Sequence, residues 1–124
     1  MNELPVIQKT YDFVKWVVPI LNKLPRHHKF MLGDRIIKEV YDLLEGLLRA
    51  RYAKQKLTQL QSLNSELDVL RYQIRLLYDF ELISLKRFQY ISQQLQEIGI
   101  ELGGWIKQQK QYNKNHYQEK VNLN

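Results

Sequence analysis

Few side chains in this 124-residue chain could do bond-making chemistry. His27 and His28 are adjacent, so they point to different sides of a helix or turn and do not converge on one metal ion. The pair reads either as a metal or RNA contact or as a solvated turn, and the turn is favoured. No HExxH spacing occurs, nor the Glu-x-x-His pair that a di-metal site inside a helical bundle uses. No arginine stands ahead of a histidine at the spacing of small helical RNases, and no glycine-rich loop is present to cradle phosphate. Asp68 and Asp79 have Arg71 and Arg75 beside them, a pattern of surface pairing. Cysteine is absent, which removes thiol nucleophiles, Cys-based metal sites and disulfides. No catalytic residue, metal or cofactor is expected, and binding of other macromolecules is the expected mode of action.

The basic residues carry more information. The formal charge is +6 and the isoelectric point about 9.5. Such an excess suits a polyanion, yet small soluble domains routinely carry net charges of roughly 2–8 for solubility alone. The positions of the charges decide between these readings. Arg49, Arg51, Lys54 and Lys56 fall together at the end of a predicted second helix. In an up-down bundle the start of the first helix and the end of the fourth share that pole, and they bring Lys9, Lys107, Lys110 and Lys114. Tyr52 and Tyr112 are interleaved, a combination suited to phosphate contacts with base or sugar stacking. At the other pole lie Lys23, Arg26, Lys29, Arg35, Lys86 and Arg87, diluted by Asp79 and Glu81. Helix dipoles explain one or two cations per C-terminus but not a pole built from three elements. The candidate nucleic-acid-binding residues are therefore Arg49, Arg51, Lys54, Lys56, Lys107 and Lys110, with Arg26 and Lys29 at the opposite end. Nothing resembles a base-reading motif, so binding to RNA or DNA is expected to be phosphate-dominated and sequence-tolerant.

The elements that position these charges follow from apolar periodicity. A first helix is predicted over about Leu4–Leu24, with Phe13, Val17, Ile20, Leu21 and Leu24 as its stripe and a kink or break at Pro19. Pro25 ends it, and Arg26-His27-His28-Lys29 reads as a basic turn. A second helix spans about Met31–Lys56. Its solvated face carries the pairs Asp34–Lys38, Arg35–Glu39, Lys38–Asp42 and Glu45–Arg49, together with Gly46. A third covers about Leu60–Leu82 with Leu63, Leu67, Leu70, Ile74 and Leu77 inward, although Asn64 or Ser65 could cap a later start. A fourth runs from near Ser84 to about Gln111 with Phe88, Ile91, Leu95, Ile98, Leu102 and Trp105 inward. The expected fold is all-α, an antiparallel up-down-up-down four-helix bundle over residues 1–111, followed by a polar tail over 112–124 that frays. No apolar run approaches the roughly 18 residues of a membrane span. Met1-Asn2-Glu3-Leu4-Pro5 lacks a basic-then-apolar leader, so no signal peptide and a soluble cytoplasmic protein are expected.

The helices carry more apolar surface than one bundle needs. Opposite its core stripe the third helix bears Val69, Tyr72, Leu76 and Phe80. The second is apolar over about half its circumference, where a surface helix needs an arc of a little over 100°. Such surplus marks an interface, here a self-association surface, in competition with off-centre packing in a monomer. Gly99 and Gly103 on the fourth helix have small-xxx-small spacing. They join the candidate oligomer interface, although tight packing within the chain is the commoner cause of such a pair.

Three stretches resemble a known family. They are Leu24-Pro25-Arg26 through Asp34-Arg35-Ile36; Tyr41-Asp42-Leu43-Leu44-Glu45 with Ala50-Arg51-Tyr52; and Leu67 through Leu77, which reads Leu-Asp-Val-Leu-Arg-Tyr-Gln-Ile-Arg-Leu-Leu. With Arg87-Phe88 through Gly103-Gly104-Trp105 they are similar to the accessory variability determinant (Avd) proteins of diversity-generating retroelements, over most of residues 5–110. More distantly the chain is similar to four-helix proteins encoded within intervening sequences of large-subunit ribosomal RNA genes. The Avd resemblance implies a basic four-helix bundle assembled as a homopentamer. It implies a non-catalytic partner of a reverse transcriptase that binds nucleic acid and supports adenine-directed, mutagenic cDNA synthesis. The tail from Tyr112 lies outside the resemblance. The competing reading is a helical protein-interaction scaffold without a nucleic-acid role.

Overall fold

The computed structural model describes residues 4–123; Met1-Asn2-Glu3, read above for a leader, and Asn124 lie outside them. Four long helices account for the fold: α1 (Pro5–Asn22), α2 (Asp34–Ala50), α3 (Lys56–Asp79) and α4 (Leu85–Leu123). No strand occurs among the described residues. Consecutive helices pack on one another through short connections, and α1 and α4 close the ring. That is the antiparallel up-down-up-down bundle.

The inward stripes build one core. Phe13, Val17 and Leu21 of α1, Ile36, Val40, Leu43 and Leu47 of α2, Leu63, Leu67, Leu70, Ile74 and Leu77 of α3, and Ile91, Leu95, Ile98 and Leu102 of α4 are all buried. Leu24, Phe88 and Trp105 pack at its edge, half-buried, whereas Ile20, expected on the α1 stripe, is half-buried off the core. Burial of such side chains contributes roughly 1.5–3 kcal/mol each and dominates the stability. Thr10 is also buried, and its hydroxyl donates to the Val6 carbonyl at 2.7 Å, so it leaves no unpaired polar group in the core. Two aromatic contacts fasten α4 to its neighbours. Trp16 of α1 meets Tyr90 edge-on at 4.7 Å, and Tyr78 of α3 stacks on Phe88 at 4.8 Å.

Several boundaries differ from the sequence-based expectation. α1 runs through Pro19 without a break. Both Pro19 and Lys15, whose carbonyl loses its amide donor, are exposed, so water can take the vacant bond. Arg26–His28 is a helical turn, not an open one, and passes through a π-helical stretch, Lys29–Gly33, into α2. Lys29 at its start pairs with Asp34 at 3.0 Å, so Asp34 is engaged from the preceding turn, where Lys38 was its expected partner. Lys38 pairs with Asp42 at 2.6 Å as its spacing predicts.

α2 stops at Ala50, six residues before the expected end, and Lys56 is the first residue of α3. Asn64 and Ser65 are therefore interior to α3, and the Ser65 hydroxyl donates back to the Gln61 carbonyl. α3 ends with Glu81 in the left-handed region at φ 60°; Glu81 N–H bonds to the Tyr78 carbonyl and Leu82 N–H to that of Leu77, a Schellman closure. The Ser84 hydroxyl then accepts from the Arg87 amide at 3.1 Å and caps α4.

Gly46 is buried, contrary to its expected place on the solvated face. A Cβ there would collide with the Leu63 side chain, so α2 and α3 owe their close approach to a missing methyl. α4 continues past Gln111 to Leu123, where a frayed tail was expected. Side chains 110–122 are exposed, in keeping with the missing apolar stripe. Local pairs brace this extension: Gln109 to Asn113 at 3.0 Å, Gln111 to Asn115 at 3.2 Å, and Tyr112 stacked on His116 at 5.8 Å.

Candidate nucleic-acid interface

The short link between α2 and α3 shapes the basic pole. The Lys56 ammonium folds back and donates to the carbonyls of Ala50, Arg51 and Ala53 at 3.2, 2.6 and 3.1 Å. The Ala50 and Arg51 oxygens stand at the C-terminus of α2, where carbonyls lack α-helical donors, and the Ala53 oxygen belongs to the link. Lys56 is thus engaged in holding the link, and its charge offsets the negative end of the α2 dipole, which keeps the pole positive. Arg49 and Lys54 are exposed beside it, and Arg51 is half-buried with its guanidinium 5.9 Å from the Tyr52 ring centre. Tyr52 itself is 76% exposed.

The α4 extension meets this link. Lys54, Lys56 and Leu57 form one wall of a cleft of about 400 Å³, and Tyr112, His116, Tyr117 and Lys120 form the other. On the α4 wall the sequence pattern assigns only Tyr112 to the pole and places His116, Tyr117 and Lys120 in the polar tail. Their signal was present as a four-residue recurrence, Tyr112, His116, Lys120, which falls on one helix face. Lys107 and Lys110 are exposed. At 100° per residue Lys107 lies on the far side of α4 from the cleft and Lys110 on its flank, so the structure does not gather the expected cations onto one surface. Lys9 pairs with Glu97 across α1 and α4 at 3.9 Å.

At the opposite pole Lys23, Arg35, Lys86 and Arg87 are exposed. Arg26 is exposed, but Lys29 is held by Asp34. His27 and His28 meet edge-on at 5.4 Å and border a groove of about 630 Å³ shared with Arg35 of α2 and Leu76 and Phe80 of α3. Among the described residues no group of three His, Cys, Asp or Glu side chains is placed to hold a metal ion.

The second stripe of α3 is open to solvent: Val69, Leu76 and Phe80 are exposed and Tyr72 is 69% so. Tyr72 borders a smaller hollow with Arg71, Arg75, Phe88 and Ser92. The two glycines of α4 separate. A Cβ on Gly99 would strike the Arg71 guanidinium and lie 3.4 Å from Leu67, so its smallness serves packing within the chain. A Cβ on Gly103 would meet nothing within 4 Å.

Between α2 and α3, burial pushes the Glu66 carboxyl above its usual range, and the nearby carboxylates of Glu39 and Asp42 add to the effect against Lys38 and Arg49. Its Oε2 is buried without a hydrogen-bond partner among the described residues. No helix among those residues is long and apolar enough to cross a membrane.

No curated protein matches the sequence. Among solved structures, the chain is similar to a protein of unknown function from the S23 ribosomal protein family of Bacteroides thetaiotaomicron. The identity is 21% and the TM-score 0.76, over 82% of this chain and 95% of that one. At that identity the likeness establishes the shared four-helix fold. The bAvd-like family model matches residues 4–109, most of the chain and nearly all of the bundle, leaving the distal part of α4 outside. The chain belongs to the bAvd-like family.

Proposed function

We propose that the protein is a non-catalytic accessory subunit of a diversity-generating retroelement. In this reading it is a cytoplasmic, basic homo-oligomer, a pentamer by family resemblance, that binds RNA or DNA and the element's reverse transcriptase and supports mutagenic cDNA synthesis. The family match over residues 4–109 carries the reading. The exposed cations at the α2–α3 link support nucleic-acid contact, and the exposed Val69, Tyr72, Leu76 and Phe80 support self-association. The polymerase supplies the chemistry, so the bundle needs no catalytic cluster of its own.

Arg49→Ala with Lys54→Ala tests the phosphate-binding surface, since both side chains are exposed and away from the core. The double variant should fold normally, bind RNA more weakly, and lose about 0.7 of salt-dependence slope per phosphate contact removed from a single strand. An unchanged affinity and slope would remove these residues from the interface. If the wild-type chain binds neither RNA nor DNA at moderate salt, the scaffold reading with an acidic protein partner takes its place.

A further inference from the structure

The distal part of α4 lies beyond the matched residues 4–109, yet it is not a featureless appendage. It presents rings and cations on the side that faces the α2–α3 link, and it encloses a cleft with that link. Tyr112 and Tyr117 are 60% and 66% exposed, and the Tyr112 and His116 rings lie parallel within 7°. Two parallel rings one helical turn apart expose a flat aromatic face beside Lys54 and Lys120. Beyond the local Tyr112–His116 stack these side chains cover no core residue, so packing of the bundle does not account for them.

We propose that this cleft is a stacking site for single-stranded nucleic acid, with bases laid on Tyr112, His116 and Tyr117 and the backbone held by Lys54 and Lys120. The site rests on the nucleic-acid reading above and places its single-strand contact outside the family's common bundle. Chemistry selects the ligand. Aromatic faces recognise the π-face of an unpaired base, which a duplex keeps within its own stack, and lysines supply phosphate contacts. Between residues 110 and 123 the charged side chains are Lys110, Lys114, Lys120 and Glu119, a balance that suits a polyanion over a basic peptide.

The test compares a fluorescein-labelled single strand of about 12 nucleotides with the same sequence as a duplex, using the full chain. Tyr112→Ala with Tyr117→Ala should weaken single-strand binding about tenfold or more while leaving duplex binding unchanged. Tyr112→Phe with Tyr117→Phe should retain it, since the ring and not the hydroxyl stacks. Both positions are exposed, so helicity and unfolding midpoint should match the wild type. Unchanged single-strand binding by the alanine variant would overturn the site. If Arg49→Ala with Lys54→Ala still weakens binding in that case, the broader reading survives; absence of all nucleic-acid binding by the wild type would defeat both.

Discussion

Lys56→Met separates a structural lysine from a binding one. Methionine keeps the aliphatic stem but removes the ammonium from three carbonyls at the end of α2 and in the link that follows. A hydrogen bond from a charged donor contributes about 1.5–3 kcal/mol, but the three here share one half-buried group and water can reach part of the site, so about 1–3 kcal/mol is expected in total. Loss of a cation from the C-terminal end of the α2 dipole accounts for about 0.3–1 kcal/mol of that. For a chain of this size the melting temperature should fall by about 5–10 °C. Lys54→Met, which removes an exposed ammonium two residues earlier, should stay within about 0.5 kcal/mol of the wild type. Urea unfolding followed by circular dichroism, with protein concentration held fixed because assembly feeds into apparent stability, measures both. Equal stability of the Lys56→Met variant and the wild type would refute the claim that this side chain closes the link.

Two further outcomes follow from the packing. Gly103→Ala gains about 1 kcal/mol of helix propensity where no neighbour lies within 4 Å, so the monomer should become more stable by about 0.5–1 kcal/mol. Light scattering should also show weakened assembly if the proposed subunit contact passes over Gly103, and unchanged assembly would take it out of the interface. Glu66→Gln concerns pH. The folded-state pKa of Glu66 lies above its ordinary value of 4.5, so the folded chain binds the proton more tightly than the unfolded one and is penalised once the group ionises. The glutamine variant should be more stable than the wild type at neutral pH, by less than about 1 kcal/mol at this partly exposed site. That advantage should fade as the pH falls to 4.5 and below. An advantage that grew on acidification would contradict the sign.

The core was legible because burial alone dictates it: Leu63, Leu67, Leu70, Ile74 and Leu77 recur at helical spacing and all lie inside. The end of α2 was not. Residues 51–55 contain no glycine or proline, and the chain turns there because Lys56 reaches back to carbonyls that a one-dimensional pattern cannot locate. Gly46 failed for a related reason. Asp42 and Arg49, which share its helix face, are polar, while its buried position reflects the neighbouring helix, where Leu63 needs the space. The basic pole was half legible. Lys54 and Tyr112 follow from topology, but the pairing of Tyr112 with His116 and Lys120 requires that α4 continue, and helical order without an apolar stripe leaves little trace in hydropathy. The second stripe of α3 was legible as a face opposite the core stripe, because helical spacing alone fixes which residues share a face, and it is exposed on the single chain.

The length of α4 has a consequence in helix–coil terms. Starting a helix is disfavoured about a thousandfold, and an isolated segment shorter than about 12–15 residues is marginal in water. Residues 112–123 would stand at that limit alone. As the end of a 39-residue helix they need only propagation, because the bundle has already nucleated it. Gly103 and Gly104 lie between the last buried side chain, Leu102, and this segment, and each weakens propagation by about 1 kcal/mol relative to alanine. Trp105 and Ile106 just beyond the glycines still pack on the core, so the distal turns uncouple from the bundle first beyond Ile106.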